Sequence, residues 1–219
     1  MTLLNGAFEK SADVTLPSIR VNGDRLTYVD LFCGIGGFHI AASRLGLEPV
    51  FACDIDDEAR TTYEHNFGIA PMGDILEISA ADIPDHDLLF AGFPCQPFSI
   101  TGKKDGFADP RGTLFFEIAR IVQAKRPKAI VLENVKQLAT LQQGAVIRRI
   151  TDDLTDLDYT VDYRIFNALN FGLPQKRERT IIVATLAEFD EFPWPTKVVP
   201  MKSLEEILEP RPNPYFHNF

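Results

Sequence analysis

The chain has 219 residues, of which 45% are hydrophobic and 24% are charged, and these proportions are ordinary for a soluble globular protein. They exclude a disordered or collagen-like chain, and the length fits one domain, or one domain and a fraction. No apolar run approaches the roughly 18 residues of a membrane-spanning helix, and no secretory signal is visible. The three cysteines indicate neither a disulfide framework nor a metal site, so we predict a reducing, cytoplasmic setting.

The net charge of −9 taken alone argues against nucleic-acid binding. The charge is unevenly distributed, however. Residues 52–87 hold ten acids and one Arg, whereas residues 99–128 hold seven Lys or Arg and three acids. A basic strip can therefore exist within an acidic chain, and local charge is the better guide to partners.

Short apolar runs alternate with helical patterns from Tyr28 onwards. The predicted strands are Tyr28–Phe32, Pro49–Cys53, Asp87–Ala91, Ala129–Leu132, Thr160–Ile165 and Thr180–Ala184, with a further short one before Asp74. The predicted helices are Gly37–Leu45, Asp57–Asn66, Thr113–Lys125 and Ala145–Leu157. This alternation predicts an α/β fold with a mostly parallel twisted sheet and helices on both faces. Ligands of such sheets bind beyond the carboxyl ends of the strands.

The first loop of interest, Asp30–Phe38, places three glycines between a strand and a helix, which allows tight turning and close approach of a ligand. It lacks the Lys of a phosphate-binding loop and the full dinucleotide fingerprint. Asp54 and Asp74 follow later strands, and the three loops offer acids but no Lys or Arg. Each Asp alone is more often a helix cap or a solvated acid. Together they favour a cofactor with a ribose and a positive centre, and S-adenosylmethionine has both.

A second loop, Gly92–Ser99, carries Cys95 between two prolines just beyond an apolar strand. A lone cysteine is usually a small buried apolar residue, and we assign Cys33 and Cys53 to that class. The prolines would hold the sulfur of Cys95 rigidly, which makes it a candidate nucleophile. The polar, Gly-rich segment 99–112 that follows is either a mobile lid whose basic residues contact phosphates or a solvated loop.

Two charged motifs follow further along the chain. Glu133 comes after the apolar run Ala129–Leu132, and a carboxyl group at the end of a buried strand needs a partner. It is either a salt-bridged acid or a hydrogen-bonding group of an active site. Arg177 and Arg179 precede the last predicted strand. They are either active-site residues or part of a solvated charge cluster.

Taken together, these motifs resemble those of DNA (cytosine-5) methyltransferases of the bacterial restriction-modification type. The matching blocks are Asp30–Phe38, Asp54, Gly73-Asp74, Gly92–Ser99, Arg111–Phe116, Glu133–Val135 and Gln175–Arg179. Their order and spacing match the family across roughly residues 28–186. The resemblance implies an S-adenosylmethionine-dependent, Rossmann-like domain that methylates carbon 5 of a flipped cytosine in duplex DNA through a covalent Cys95 adduct.

The resemblance also implies a role for each matching residue. The catalytic set would be Cys95, Glu133, Arg177, Arg179, Asn134, Pro94 and Gln96. Cofactor contacts would come from Asp30, Phe32, Gly34, Ile35, Gly36, Gly37, Phe38, Asp54, Ile55, Asp74, Ile75, Phe93 and Leu114. Contacts with DNA would come from Ser99, Thr101, Lys103 and Arg111. No metal is implied.

The predicted domains are an irregular arm (1–27), the methyltransferase domain (28–186) and a short acidic, Pro-rich tail (187–219) in place of the family's target-recognition region. We therefore expect a second polypeptide to supply target recognition and the family's C-terminal segment, and we expect a sheet face and a helix to be exposed where that segment would pack. An inactive truncated remnant or a fragment is the other explanation. A tRNA cytosine-5 methyltransferase and a non-catalytic scaffold that keeps the cofactor fold are the alternative functions.

Overall fold

The computed structural model describes residues 20–21, 24–94 and 114–207. Its strands are β1 (Arg20–Val21), β2 (Asp24–Arg25), β3 (Thr27–Leu31), β4 (Glu48–Cys53), β5 (Leu88–Ala91), β6 (Ala129–Val135), β7 (Thr160–Asn167) and β8 (Glu178–Thr185). Its α-helices are α1 (Gly37–Arg44), α2 (Asp57–Phe67), α3 (Leu114–Lys125), α4 (Gln137–Thr140), α5 (Ala145–Thr155) and α6 (Leu204–Ile207). Short 3₁₀ turns connect several of them.

Six of these strands form one sheet in the order β4-β3-β5-β6-β8-β7. Neighbours from β4 to β6 are parallel, whereas β8 is antiparallel to both of its neighbours, β6 and β7. The sheet is therefore mostly parallel, as predicted. The carboxyl ends of β3, β4, β5 and β6 lie at one edge, and β8 starts at that same edge.

Helices cover both faces of the sheet, which confirms the predicted layers. On one face, Ala42 of α1 packs with Tyr28 and Phe90, and Tyr63 of α2 packs with Ala52. On the other face, α3 and α5 join a larger apolar core with β3, β5, β6 and β8. Alternate residues along β3 therefore point to different helix layers, as the two-residue period of a strand requires.

All but one of the predicted strands and all four predicted helices are confirmed, but some of their ends differ. β6 continues through Glu133 to Val135, and β8 begins at Glu178, so the candidate acid and Arg179 lie inside strands and not in loops. The antiparallel ladder between β6 and β8 extends to the Val135–Arg179 pair, which explains why both strands are longer. The strand predicted before Asp74 is only an isolated bridge between Cys53 and Met72.

The segment after β8 packs against the sheet. Trp194 is 7% exposed, its ring lies 5.5 Å from that of Phe166 on β7, and its Nε1 donates to Asp162 Oδ2 at 2.6 Å. Val199 N–H donates to the carbonyl of Asn170 at 2.8 Å. The packing therefore continues across the domain boundary that was predicted at residue 186.

The described helices include none with the length and apolar character needed to cross a membrane.

Candidate active site

A cleft of about 620 Å³ opens where β3, β4 and β5 end. Its lining residues are Phe32, Gly34, Cys53, Asp54, Ile55, Gly73, Asp74, Ile75, Leu76, Gly92, Pro94 and Leu114. Seven of the predicted cofactor contacts are in this set. The structure therefore brings the glycine loop, the two acids and the loop that leads to Cys95 around one cavity.

The carboxylate of Asp54 links two of the loops that form the cleft. Its Oδ2 accepts the Gly34 N–H at 2.8 Å, and its Oδ1 accepts the Asp56 N–H at 3.0 Å. The Asp54 N–H in turn donates to the Met72 carbonyl at 3.0 Å. Each carboxylate oxygen has two lone pairs, so Asp54 can hold both loops and still accept bonds from ribose hydroxyl groups.

The glycine loop has a backbone that only glycine adopts without strain. Gly34 and Gly36 have φ values of 52° and 97°, in the left-handed region that disfavours side chains. A Cβ on Gly36 would lie 2.1 Å from the ring of Phe67. That ring cannot easily move, because it stacks on His39 with centroids 3.9 Å apart. The loop can therefore pass close to α2 only with glycine at this position.

Asp74 and two aliphatic side chains complete the cleft. Asp74 Oδ1 caps the turn Ile75–Glu77 by accepting the Leu76 N–H at 3.0 Å. Ile55 and Leu76 line the cleft although they are 70% and 59% exposed, and an adenine ring would cover such apolar surface. Among the described lining residues none is Lys or Arg. The lining therefore fits a neutral ribose, an apolar base and a cationic centre, which is the chemistry of S-adenosylmethionine.

Six predicted cofactor contacts do not line the cleft, and five cleft residues were not predicted to bind the cofactor. The six are Asp30, Ile35, Gly36, Gly37, Phe38 and Phe93. Phe38 stacks on Phe90 at 5.1 Å and Phe93 is 4% exposed in the core, so both act through packing. The five are Cys53, Gly73, Leu76, Gly92 and Pro94, of which Pro94 was assigned to catalysis. Leu76 could have been predicted as a cleft residue, because it is an aliphatic residue two positions after Asp74.

Asp30 lies beneath the floor of the cleft and not in it. Its side chain is fully buried, and neither carboxyl oxygen has a hydrogen-bond partner among the described residues. Burial, together with the nearby Asp54 carboxylate, raises the pKa of Asp30 well above its ordinary value. The corrected role of Asp30 is therefore that of a buried acid that favours its neutral form.

The second half of the site is an ion pair between β6 and β8. Arg179 Nε lies 2.6 Å from Glu133 Oε1, and the two side chains are 24% and 28% exposed. Arg179 Nη1 also donates to the Glu178 carbonyl at 2.9 Å. The acid and the arginine predicted from separate motifs are thus direct partners. Arg177, by contrast, is exposed.

Asn134 connects this pair to the loop that carries Cys95. It is 2% exposed, and its Nδ2 donates to the carbonyl of Phe93 at 2.8 Å. Gly92 lies between the two halves of the site, because it lines the cleft and a Cβ built on it would lie 3.6 Å from Glu133 Oε2. Asn134 therefore fixes the backbone two residues before Cys95.

Several predicted residues lie outside the described part of the chain. They are Cys95, Gln96, Ser99, Thr101, Lys103 and Arg111. Of the other cysteines, Cys33 and Cys53 are buried and free, and burial is the main cause that raises both thiol pKa values, that of Cys53 to about 12. Such thiols are poor nucleophiles at neutral pH, which leaves Cys95 as the candidate. In the described ranges, no group of three or more His, Cys, Asp or Glu side chains could hold a metal ion.

We expect Gly36→Ala and Gly37→Ala to have opposite effects on stability. The first should lower the free energy of unfolding by about 3 kcal/mol, because it adds left-handed strain and a clash with Phe67. A Cβ on Gly37 meets nothing within 4 Å, so the second should leave stability unchanged or raise it by up to about 1 kcal/mol. Urea unfolding followed by circular dichroism measures both, and equal losses would contradict the geometry of the loop.

We expect Asp30→Asn to become more stabilising as the pH rises. Because the pKa of Asp30 is raised in the folded state, the folded chain binds more protons than the unfolded chain above about pH 4, and wild-type stability falls with pH by up to about 1.4 kcal/mol per pH unit. Asn carries no proton, so the stability difference between variant and wild type should grow from pH 5 to pH 8. Asp85→Asn, at a side chain that is 94% exposed, controls for net charge. A difference independent of pH would contradict a protonated Asp30.

The sequence and the fold both have relatives. The family model for C-5 cytosine-specific DNA methylases matches residues 26–214, beyond the boundary predicted at residue 186. The chain is 51% identical over 191 residues to the type II methyltransferase M.HaeII of Haemophilus aegyptius, covering 86% of this chain and 60% of that protein. It is 45% identical over 174 residues to the type II methyltransferase M.HhaI of Haemophilus parahaemolyticus, covering 78% and 53%.

Solved structures show the same likeness. The Dnmt2 methyltransferase of S. pombe superposes with a TM-score of 0.63 at 28% identity, over 77% of this chain and 53% of that one. A mutant of Spodoptera frugiperda DNMT2 superposes with a TM-score of 0.67 at 25% identity, over 86% and 61%.

The chain spans between 44% and 60% of the length of the curated relatives compared with it. Within that span the family model covers the glycine loop, both acids of the cleft, and the Glu133–Arg179 pair. The chain therefore belongs to the C-5 cytosine-specific DNA methylase family, whose methyl donor is S-adenosylmethionine.

Proposed function

We propose that this chain transfers a methyl group to carbon 5 of a flipped cytosine in duplex DNA, as the catalytic part of a restriction-modification methyltransferase. The observation that carries the proposal is the position of Gly92, which lines the cofactor cleft and adjoins the carboxylate of Glu133. One residue thus separates the cavity for the donor from the group that would hold the base. The cytoplasmic location remains a prediction.

The cleft residues would hold the cofactor in the proposed reaction. Asp54 would accept hydrogen bonds from the ribose hydroxyl groups, and the aliphatic side chains of Ile55 and Leu76 would cover the adenine. When bound, S-adenosylmethionine supplies an electrophilic methyl group on a cationic sulfur. The acids near the cleft, Asp54 and Asp74, favour that positive charge.

Cys95 would supply the nucleophile. Its sulfur would add to carbon 6 of the cytosine ring, which makes carbon 5 electron-rich and divides a difficult step into easier ones. Loss of the carbon 5 proton after methylation, with departure of the sulfur from carbon 6, would restore the aromatic ring. Asn134 supports this role by fixing the Phe93 carbonyl two residues before Cys95.

Glu133 and Arg179 would hold the base. The carboxylate would contact the ring nitrogen and the exocyclic amine, and the guanidinium would contact the ring carbonyl, with Arg177 nearby. Their existing ion pair places both groups in one geometry before the base arrives, so little reorganisation would be needed when charge develops on the ring. Extruding the base costs a few kcal/mol, as in other base-flipping enzymes.

We also propose that a second polypeptide supplies target recognition. An exposed apolar cluster supports it: Phe171, Leu173, Val198, Val199 and Met201 are 40%, 50%, 63%, 43% and 58% exposed. The Phe171–Val199 bridge joins the two segments of this cluster. On the sheet, Tyr163 and Ile165 of β7 are exposed at 40% and 37%, whereas Val183 of β8 is 6% exposed. Because this chain carries a net charge of −9, we expect the partner to be basic.

We expect the chain to form a covalent adduct with duplex DNA that contains 5-fluorocytosine when S-adenosylmethionine is present, because fluorine cannot leave as a proton does. Cys95→Ser should abolish the adduct, and Cys33→Ala, at a buried thiol beside the same cleft, should retain it. Denaturing gel electrophoresis measures the shifted band. Loss of the adduct in both variants, or retention in both, would contradict the assignment of Cys95.

A methyl-transfer assay, together with the trapping assay, discriminates the alternative functions. Transfer of labelled methyl groups to tRNA in preference to duplex DNA would favour an RNA methyltransferase, although Gly92-Phe93 before Pro94 favours the DNA branch. A scaffold would form no adduct with either substrate.

We expect adduct yield with duplex DNA to rise at least tenfold when the product of the neighbouring reading frame is added. The physical reason is that target recognition and base extrusion need contacts that the partner would supply. The measurement is the trapped fraction with the partner, without it, and with an unrelated basic protein as control. Full activity of this chain alone would refute the need for a second polypeptide.

A further inference from the structure

Arg60 lies on the first turns of α2 and binds the backbone of the loop that carries Asp54. Its Nη1 donates to the Asp54 carbonyl at 2.9 Å and to the Ile55 carbonyl at 3.3 Å. Its Nη2 forms an ion pair with Asp57. The side chain is 27% exposed, so these bonds are partly shielded from water and form a fixed link between the helix and the loop.

The same guanidinium lies near a second loop of the cleft. A Cβ on Gly73 would lie 3.8 Å from Arg60 Nη1, so the arginine is close to both the Asp54–Ile55 loop and the neighbouring Gly73–Asp74 loop. All four of these residues line the cleft. The planar guanidinium, with five donors in a fixed fork, is suited to holding two carbonyl oxygens and one carboxylate at once.

Arg60 is also the one Lys or Arg among residues 52–87, which include ten acids. Four of those acids lie at the start of α2 or just before it: Asp54, Asp56, Asp57 and Glu58. A single cation in so acidic a segment could act in two ways. It could reduce repulsion among the carboxylates, or it could hold the main chain of the loop in its binding geometry.

We propose that Arg60 is a positioning residue for the adenosyl cofactor, which holds the main chain of Asp54 and Ile55 so that the ribose and adenine contacts are in place before binding. The proposal rests on the cofactor site of the proposed function. It predicts that Arg60 affects the binding of any adenosyl ligand, whatever the charge on its sulfur.

The test is calorimetric binding of S-adenosylmethionine and of S-adenosylhomocysteine, which lacks the cationic sulfonium, to the wild type, Arg60→Ala and Arg60→Lys. Losing hydrogen bonds from a charged donor should weaken binding of both ligands to Arg60→Ala by roughly ten- to a hundred-fold. Lysine restores the positive charge but not the planar set of guanidinium donors. Arg60→Lys should therefore regain only part of the affinity for both ligands. Loss confined to one ligand would overturn the positioning role in favour of a charge effect.

Arg120 provides a matched control within the chain. It is 33% exposed on α3, pairs with Glu117 three residues before it, and donates to the Ile78 carbonyl at 2.8 Å. This arrangement resembles that of Arg60, but the carbonyl that Arg120 binds follows the turn Ile75–Glu77, and neither Ile78 nor Arg120 lines the cleft. Arg120→Ala should bind both ligands within twofold of the wild type, and an equal loss in the two alanine variants would overturn the proposal.

Hydrogen exchange of the unliganded proteins gives a measurement that does not depend on cofactor binding. Arg60→Ala should speed amide exchange in residues 54–57 at least tenfold over the wild type, and Arg120→Ala should not. Unchanged exchange in that segment would overturn the positioning role. Failure of the wild type to bind either ligand would contradict the proposed function, and the exchange result would still decide the role of Arg60.

Discussion

The antiparallel pairing of β8 with β6 is the constraint on which the candidate site depends. A parallel strand beside β6 would place its first residues at the amino edge of the sheet, far from the end of β6. Because β8 runs antiparallel to β6, its second residue, Arg179, lies at the carboxyl end of β6. Its side chain there forms an ion pair with Glu133. One reversed strand in a parallel sheet thus brings two distant motifs into hydrogen-bond contact.

The carboxylates that line the cleft also form hydrogen bonds within the protein. Asp54 bonds the backbone of Gly34 and of Asp56, and Asp74 caps a turn. The turn cap at Asp74 is the structural alternative that the sequence suggests, whereas the bond from Gly34 to Asp54 was not predicted, and neither contact excludes ligand binding. A carboxylate held by backbone N–H groups has a fixed orientation, and its remaining lone pairs then point in fixed directions.

The sequence predicted most of the strands and the helices, because strand cores and helices have clear apolar periods, but it did not predict the order of the strands or where β6 ends and β8 begins. Their extension depends on mutual pairing, which no local pattern encodes. It also placed Asp30 in the cleft, since position in a loop motif does not say which face a strand residue takes. The contacts of Arg60 with Asp54 and Ile55 were equally hidden, because they join a helix to the loop before it.

The net charge of −9 is compatible with a DNA partner once the positions of the charges are known. Asp54 and Asp74 line the cofactor cleft and Asp56 and Asp57 follow Asp54, whereas Asp85 and Asp87 pair with Lys125 and Lys128 at the amino ends of the strands. Residues 134–151, which follow Glu133, contain Lys136, Arg148 and Arg149 but no acid. Lys136 pairs with Glu178 and Arg149 with Asp153, and Lys176 and Arg177 lie before β8. Charges separated by more than about 8–10 Å are largely screened at physiological salt. A DNA phosphate near β6 and β8 would therefore interact mainly with the basic side chains close to it. The acids at the cofactor cleft, on the β4 side of the sheet, would favour the cationic cofactor.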